Sequence, residues 1–182
     1  MRRGNAVAAI SVPPEGRAWF ETLVRVLERP AYSFALTLVH DGPLAEDIVQ
    51  EAFARIWASP RTPSAEPEFR RWLYRTISNL AHDHHRRRER FARLRFWAQP
   101  PPDPLLEIDR RLGDDDLVVA LQSLSLRERR AIHMHYVEDR TFAEADSLLG
   151  TRAGNTRVTV YRALRKLRHR LVASIPEEGA AT

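Results

Sequence analysis

The chain has 182 residues and a formal net charge of +5, and 29 of its residues are lysine or arginine. Only Lys166 is a lysine, so the basic groups are guanidiniums, which suit bidentate contacts with phosphates and base edges. The absence of cysteine excludes disulfides and thiolate metal sites, and no run of about 18 apolar residues could form a membrane helix. These features predict a cytoplasmic protein without membrane insertion.

Apolar residues at three- and four-residue steps predict an all-α fold of two small helical domains, since strand-like alternation is nearly absent. We predict a disordered leader at residues 1–14 and a first domain at residues 15–97. Its first helix contains Trp19 and Leu27 and should end at Pro30, because proline interrupts helical hydrogen bonding. A second short helix is predicted at residues 32–39.

The next helix, at residues 44–58, should begin at the Asp-Gly-Pro turn of residues 41–43, because proline is favoured at the first helical position. Ile48, Phe53 and Trp57 lie on its apolar side. The opposite side should therefore be exposed, and it carries Asp47, Gln50, Glu51 and Ala54.

Three prolines predict a loop at residues 59–68, followed by a long helix at residues 69–95. A GC-rich genome explains the total number of arginines in the chain as well as phosphate binding does. It does not explain why nine of them cluster on this helix. Such a cluster creates a positive field suited to phosphates. The apolar face of the helix comprises Phe69, Trp72, Leu73, Ile77, Leu80 and Ala81.

Residues 98–116 contain four prolines and six acids, which predict a linker between two domains. A second domain follows at residues 117–173, and residues 174–182 form a predicted disordered tail. Two capping boxes mark helix starts in this domain, Ser125 with Glu128 and Thr141 with Glu144. A short helix that ends at Gly150, followed by a basic helix at residues 153–172, predicts a helix-turn-helix. The residues of the last helix expected to face inward are Val160, Ala163, Leu164, Leu167 and Leu171.

The series His82, Asp83, His84 and His85 raises the alternative of a metal site or a phosphohydrolase centre. On a helix these side chains diverge, and only the histidines at 82 and 85 share a face, so the pattern does not favour either reading. The sequence has no glycine-rich phosphate loop, Ser-His-Asp series or catalytic carboxylate pair. We therefore predict no catalytic residues, no metal and no cofactor.

Two long motifs in order, AEDIVQEAFARIW at 45–57 and FRRWLYRTISNLAHDHHRRRER at 69–90, resemble region 2 of the sigma-70 family. The segment ALQSLSLRERRAIHMHYVEDRTFAEADSLLG and the basic helix behind it resemble region 4. Only these two regions, joined by a short linker, are present, which is similar to the layout of extracytoplasmic-function sigma factors. The resemblance covers residues 19–171.

This resemblance implies a role in binding core RNA polymerase and directing it to promoters. It implies that an exposed face of the third predicted helix docks on the coiled coil of the β′ clamp, and that region 4 meets the β flap. Without the resemblance, a solvated helix face is the favoured interpretation. The residues implied in polymerase binding are Asp47, Gln50, Glu51 and Arg55.

The resemblance also implies that residues 59–68 and the helix after them capture flipped bases of the minus-ten element, which requires aromatic groups and nearby cations. Trp72 is equally expected in the core, whereas Tyr74 points away from the apolar stripe and should be free to contact DNA. The residues implied at this element are Phe69, Arg70, Arg71, Trp72, Tyr74, Arg75, Asn79, His82 and Arg86.

The last helix is implied to enter the major groove at the minus-thirty-five element. Family members often have a capping serine where this chain has Arg152, so we expect Thr151 or Asn155 to supply the helix cap. The residues implied in DNA binding here are Arg152, Asn155, Arg157, Thr159 and Arg162.

Two further functions remain as alternatives to a sigma factor. A sigma-like mimic that sequesters an anti-sigma factor would not need the basic surfaces, which are rich here. A helix-turn-helix regulator would not need the region 2 motifs. The partners implied are therefore core polymerase, promoter DNA and an anti-sigma factor.

Overall fold

The computed structural model describes residues 14–60, 62–63, 65–95 and 119–173, and every regular element in these ranges is helical, which confirms the predicted fold class. The first half comprises α1 (Pro14–Val39), α2 (Gly42–Trp57) and α3 (Glu66–Arg95). After a helical segment at 119–122, the second half comprises α4 (Leu126–Ile132), a π-helical turn (His133–Val137), α5 (Phe142–Leu149) and α6 (Asn155–Ala173).

Several expectations fall on parts of the chain outside this description. The predicted leader lies there except for Pro14, as do the predicted linker at 98–116 and the predicted tail at 174–182. None of the described helices combines the length and the apolarity that a bilayer crossing requires.

The prediction that the first helix ends at Pro30 is wrong, because α1 continues through this proline to Val39. Proline removes one backbone donor, so the carbonyl four residues earlier, in Val26, loses its helical partner. The Val26 side chain is exposed, and water can reach that side of the helix. Packing of both halves of α1 on one core outweighs the local cost of the proline.

The three N-terminal helices pack around one aromatic and aliphatic core. The predicted apolar stripe of α3 is confirmed, with Phe69, Leu73, Ile77 and Ala81 buried and Trp72 and Leu80 partly buried. Phe69 meets Trp19 and Phe20 edge to face, at ring-centroid distances of 5.7 Å each. Its helix begins at Glu66, within the predicted loop.

Local signals place the starts of α4 and α5 correctly. Ser125 and Glu128 form the predicted capping box at α4, and Thr141 and Glu144 form the one at α5. Gly150 ends α5 in the left-handed conformation, with φ of 63°, which glycine adopts without strain. Leu164 is exposed rather than inward, whereas Val160, Ala163 and Leu167 are buried as predicted.

The two halves of the chain contact each other directly. Met134, Ala145 and Leu149 belong to the same buried cluster as the core of α1, α2 and α3. A smaller separate cluster, Ala120, Leu124, Ala163 and Leu167, holds the helices of the second half together.

Candidate nucleic-acid interface

The exposed side of α2 carries the four residues predicted to bind polymerase. Asp47, Gln50, Glu51 and Arg55 are all exposed, so the structure brings them together on one face. The Arg55 Nε donates to Glu51 Oε1 at 2.6 Å, an ion pair with both side chains about half exposed. Exposed pairs of this kind contribute little to stability, which leaves both groups available to a partner.

An apolar groove adjoins this polar face. It lies between α1 and α2, encloses about 590 Å³, and has Gln50 on its border. Two glutamates, Glu21 and Glu28, also line it, and its apolar side chains are Phe20, Val24, Val49, Phe53, Ala54 and Trp57. The polar face and the groove together form a mixed surface typical of protein docking sites.

A basic stripe runs along the outer side of α3. It contains Arg71, Arg75, Asn79, His82 and Arg86, which are all exposed. They follow one another at steps of four, four, three and four residues, so they project from one face of the helix. Five of the nine predicted minus-ten residues therefore form one continuous surface with three guanidiniums.

The other four predicted minus-ten residues are wholly or partly covered. Phe69 is buried in the aromatic core and Trp72 is half buried. Arg70 is held by Glu66 through a 2.8 Å hydrogen bond. Tyr74 is 1% exposed, so the expectation that it is free is wrong for this arrangement.

Tyr74 is covered from two sides, by Phe34 of α1 in the first half and by the second half of the chain at Glu138. Its ring meets Phe34 edge to face at 4.9 Å. Burial, together with the nearby Glu138 carboxylate, raises the pKa of its hydroxyl above the ordinary value, so the phenol stays neutral. The contact with Glu138 comes from a residue distant in sequence, and no periodic pattern within α3 could have predicted it.

The helix-turn-helix is held together by Asp146, which sequence reasoning missed. The carboxylate is 5% exposed and accepts from the Thr156 backbone N–H and hydroxyl at 2.8 and 2.6 Å. It also accepts from the Gly154 N–H at 2.7 Å and the Thr151 hydroxyl at 2.8 Å. Asp146 therefore caps α6 from α5, and the predicted cap by Thr151 or Asn155 is wrong.

The hydrogen bonds to Asp146 also set its ionisation. Burial alone would raise the pKa of this carboxyl group, but the bonds from Thr156, Thr151 and the Gly154 N–H outweigh burial and hold the pKa below its ordinary value. A charged carboxylate at the start of α6 further interacts favourably with the helix dipole. The signal in the sequence was an acid in a short, largely apolar helix that ends at a glycine turn.

The five residues predicted to bind in the major groove differ in how far they are exposed on α6 and the turn before it. Arg152, Arg157 and Arg162 are exposed, and Asn155 is half buried and accepts from Arg127. Thr159 is 7% exposed and its hydroxyl donates to the Asn155 carbonyl at 2.8 Å, so it supports the helix. Sequence reasoning missed the exposed apolar residues between the arginines, which are Val158 and Tyr161.

The histidines of α3 do not converge. His82 is exposed, and His85 Nε2 lies 3.3 Å from the Leu38 carbonyl oxygen. Within the described ranges, no three histidine, aspartate or glutamate side chains come together in a way that could hold a metal ion.

Comparison with known proteins matches both halves of the chain to one family. Residues 23–91 match the model of Sigma-70 region 2, and residues 114–167 match that of Sigma-70, region 4. The chain is 32% identical over 162 residues to the ECF RNA polymerase sigma factor SigL of Mycobacterium tuberculosis, covering 84% of this chain and 86% of SigL. It is 31% identical over 145 residues to the RNA polymerase sigma factor CarQ of Myxococcus xanthus, covering 76% and 80%. The chain therefore belongs to the extracytoplasmic-function sigma factors of the sigma-70 family.

Other relatives are longer than this chain. The ECF RNA polymerase sigma factor SigE of Mycolicibacterium smegmatis is 33% identical over 159 residues, which cover 83% of this chain but 60% of SigE. Among solved structures, the fold is similar to that of the sigma factor RpoE in its complex with the anti-sigma factor NepR from Bartonella quintana, with a TM-score of 0.61 and 21% identity. That likeness covers 86% of this chain and 98% of RpoE.

Proposed function

We propose that this protein binds core RNA polymerase in the cytoplasm and directs it to promoters that carry minus-ten and minus-thirty-five elements. The single observation that carries this proposal is the pair of exposed surfaces on region 2. The polar face of α2 adjoins an apolar groove, and the arginine stripe of α3 lies on a separate helix. A polymerase and a nucleic acid can then be bound at the same time.

Promoter opening in this proposal is a binding process and involves no catalysis by the chain. The α3 stripe holds phosphates through Arg71, Arg75 and Arg86, and flipped bases stack on neighbouring aromatic groups, for which the half-buried Trp72 is available. Binding the single strand more tightly than the duplex shifts the DNA towards the open form. No metal, cofactor or reacting group is required.

Region 4 reads the upstream duplex in this proposal. Arg152, Arg157 and Arg162 project from the turn before α6 and from its outer side, and Tyr161 and Val158 offer apolar contact to thymine methyl groups. The proposed domains are residues 15–97 and 117–173. The β′ clamp would bind the α2 face, the β flap would bind region 4, and an anti-sigma factor would bind the free protein.

The test is reconstituted transcription with core polymerase on a promoter library, combined with a core-binding measurement. Changing both Asp47 and Gln50 to alanine should weaken core binding about tenfold to a hundredfold, because two polar contacts are removed from the interface. The matched control is Glu89→Ala, which removes an exposed acid elsewhere on region 2 and should leave core binding unchanged. A wild-type protein that neither binds core polymerase nor selects a discrete promoter motif would overturn the proposal.

A further inference from the structure

The side chain of Asn155 is held by an arginine from another helix. The Asn155 Oδ1 accepts a hydrogen bond from the Arg127 Nη2, and the two residues are 28 positions apart. An arginine side chain carries only donors, so the amide oxygen of Asn155, and not its amide nitrogen, must face Arg127. The Nδ2 group therefore lies on the side of the amide away from Arg127. It has no hydrogen-bond partner in the described part of the chain.

Neighbouring contacts fix both ends of this hydrogen bond. On the side of α4, the Lys166 Nζ of α6 donates to the Ser123 carbonyl at 2.6 Å, which ties the start of α4 to α6. On the side of α6, the residue after Asn155 is Thr156, whose N–H and hydroxyl are bound by the buried Asp146 carboxylate. A polar group held on two rigid elements in this way presents its donors in a defined direction.

No acidic side chain competes with Asn155 for Arg127. The ion pairs among the described residues do not include Arg127, and the adjacent Glu128 carboxylate accepts from the Ser125 N–H and pairs with Lys166. Arg127 is exposed, and its guanidinium has five N–H donors, so the bond to Asn155 leaves donors for a DNA phosphate. Arg127 is therefore able to contact the DNA backbone and Asn155 together.

Asn155 lies on the face of α6 that the proposed function places against DNA. It is the first residue of this helix, and the exposed Val158 and Arg162 follow it at steps of three and four residues. Residues at these steps project from one face of a helix. Since the first turns of a recognition helix contact base edges in the major groove, the Nδ2 group of Asn155 is presented to a base.

The occupied oxygen and the free nitrogen of this amide determine which bases it suits. Asparagine reads adenine through two bonds, in which the amide oxygen accepts from N6 and the amide nitrogen donates to N7. Arg127 already occupies the oxygen of Asn155, so the bond to adenine N6 is missing. Guanine presents two acceptors, N7 and O6, to the donors of Nδ2. The arrangement therefore favours guanine over adenine.

We propose that Arg127 is a positioning residue that leaves Asn155 only its donors for base reading, so that the protein selects guanine over adenine at one position of the minus-thirty-five element. This inference rests on the proposed function and deepens it, because it names a base preference and a residue outside α6 that sets it. Arg127 acts through Asn155 and does not itself read the base.

Promoter selection by the assembled polymerase tests the base preference. The full chain is combined with core polymerase, and bound sequences are read from a promoter library in which the minus-thirty-five element is randomised. The natural protein should favour guanine over adenine by about threefold to tenfold at one position, and Asn155→Ala should abolish that preference. Arg127→Leu should shift the same position towards adenine, since the freed amide oxygen can then accept from adenine N6.

Two controls separate positioning from a general loss of charge or structure. Arg168→Leu removes an exposed arginine from α6, about 20 Å from Asn155 along the helix, and should leave the base profile unchanged. In the Asn155→Ala background, Arg127→Leu should weaken binding evenly and leave the base profile as it is. The proposal is overturned if Arg127→Leu weakens the preferences at all positions without raising adenine at one. It is also overturned if Asn155→Ala alters no position, or if the natural protein prefers adenine at the altered position.

The side-chain amide of Asn155 reports its bond to Arg127 without polymerase or DNA. Its Nδ2 proton signals in NMR spectra of the free full chain are identified by their loss in Asn155→Ala. Arg127→Leu should shift these signals, because the amide oxygen loses its donor, whereas Arg168→Leu should leave them in place. Unchanged signals in Arg127→Leu would overturn the positioning role. If no variant selects promoters with core polymerase, the proposed function fails, and the amide signals still decide whether Arg127 holds Asn155.

Discussion

At the scale of single residues, Asp146 determines how α5 and α6 are joined. One buried carboxylate accepts four hydrogen bonds, from Thr151, from the Gly154 N–H and from both donors of Thr156. These donors lie on the turn and at the start of α6, so the carboxylate fixes the angle at which α6 leaves the turn. Arg152 and Arg157 are positioned by this connection.

Asp146→Asn should therefore destabilise region 4 by about 2 kcal/mol, because charge-assisted hydrogen bonds are lost and an amide donor meets backbone donors. The measurement is thermal unfolding, supported by hydrogen exchange of the Thr156 amide. The control is Asp139→Asn, which removes an exposed charge from the same half and should leave the midpoint unchanged. Equal midpoints for the two variants would contradict the assigned cap.

The lowered pKa of Asp146 predicts how the stability difference between the natural protein and Asp146→Asn depends on pH. A carboxyl group with a lowered folded-state pKa contributes its full stability above the ordinary value of 3.8, and loses it as pH falls through the folded-state pKa. The stability difference between the natural protein and Asp146→Asn should thus be constant near neutral pH. It should shrink when the pH falls below about 4.

How far the sequence predicts single residues depends on where their contacts come from. Periodicity predicted the buried face of α3 at Phe69, Leu73 and Ile77, because those contacts follow from the amphipathic pattern of one helix. Tyr74 was predicted to be free, and it is buried by Phe34 and Glu138, which are far away in sequence. A second buried face on one helix depends on where distant parts of the chain pack, in its own domain and in the other, and the residue pattern of α3 does not contain that information.

At the scale of elements, helix boundaries set by neighbouring residues were predicted correctly, and boundaries set by distant residues were not. Both capping boxes were predicted correctly, since a box requires only residues three positions apart. The start of α6 was predicted less well, because its cap comes from Asp146 on another helix. The break at Pro30 was predicted from local propensity, and packing along the whole of α1 overrides it.

The continuity of α1 through Pro30 leads to a stability prediction. Pro30→Ala restores the backbone donor to the Val26 carbonyl, and a proline in a helix interior costs up to about 3 kcal/mol relative to alanine, so the variant should be more stable. Chemical unfolding measures the change. Pro43→Ala is the matched control, because this proline lies at the start of α2, where no helical bond is missing, and it should have little effect. No gain for Pro30→Ala would mean that the bend at this proline contributes to packing.

At the scale of the whole molecule, the arrangement of the two halves could not be predicted from the sequence. The Thr37 Oγ1 lies 2.8 Å from His133 Nδ1, although the two residues are separated by 96 positions and neither belongs to a motif that predicts pairing. The sequence does predict the greatest distance that the segment between the two halves can span. Residues 96–118 comprise 23 residues, which can span about 80 Å when fully extended. This reach is close to the roughly 85 Å that separates promoter elements centred about 25 base pairs apart, before the size of the domains is added.

We therefore predict that simultaneous binding of both promoter elements depends on the length of residues 96–118 and not on their sequence. Deleting residues 100–109 leaves 13 residues with a reach of about 45 Å, so simultaneous protection of both elements in footprints with core polymerase should be lost. Core binding should persist, since the α2 face is unchanged. The control replaces the same ten residues with a glycine-serine segment of equal length, which should retain protection of both elements. If the deletion protects both elements as well as the control does, the two regions reach the promoter by another route.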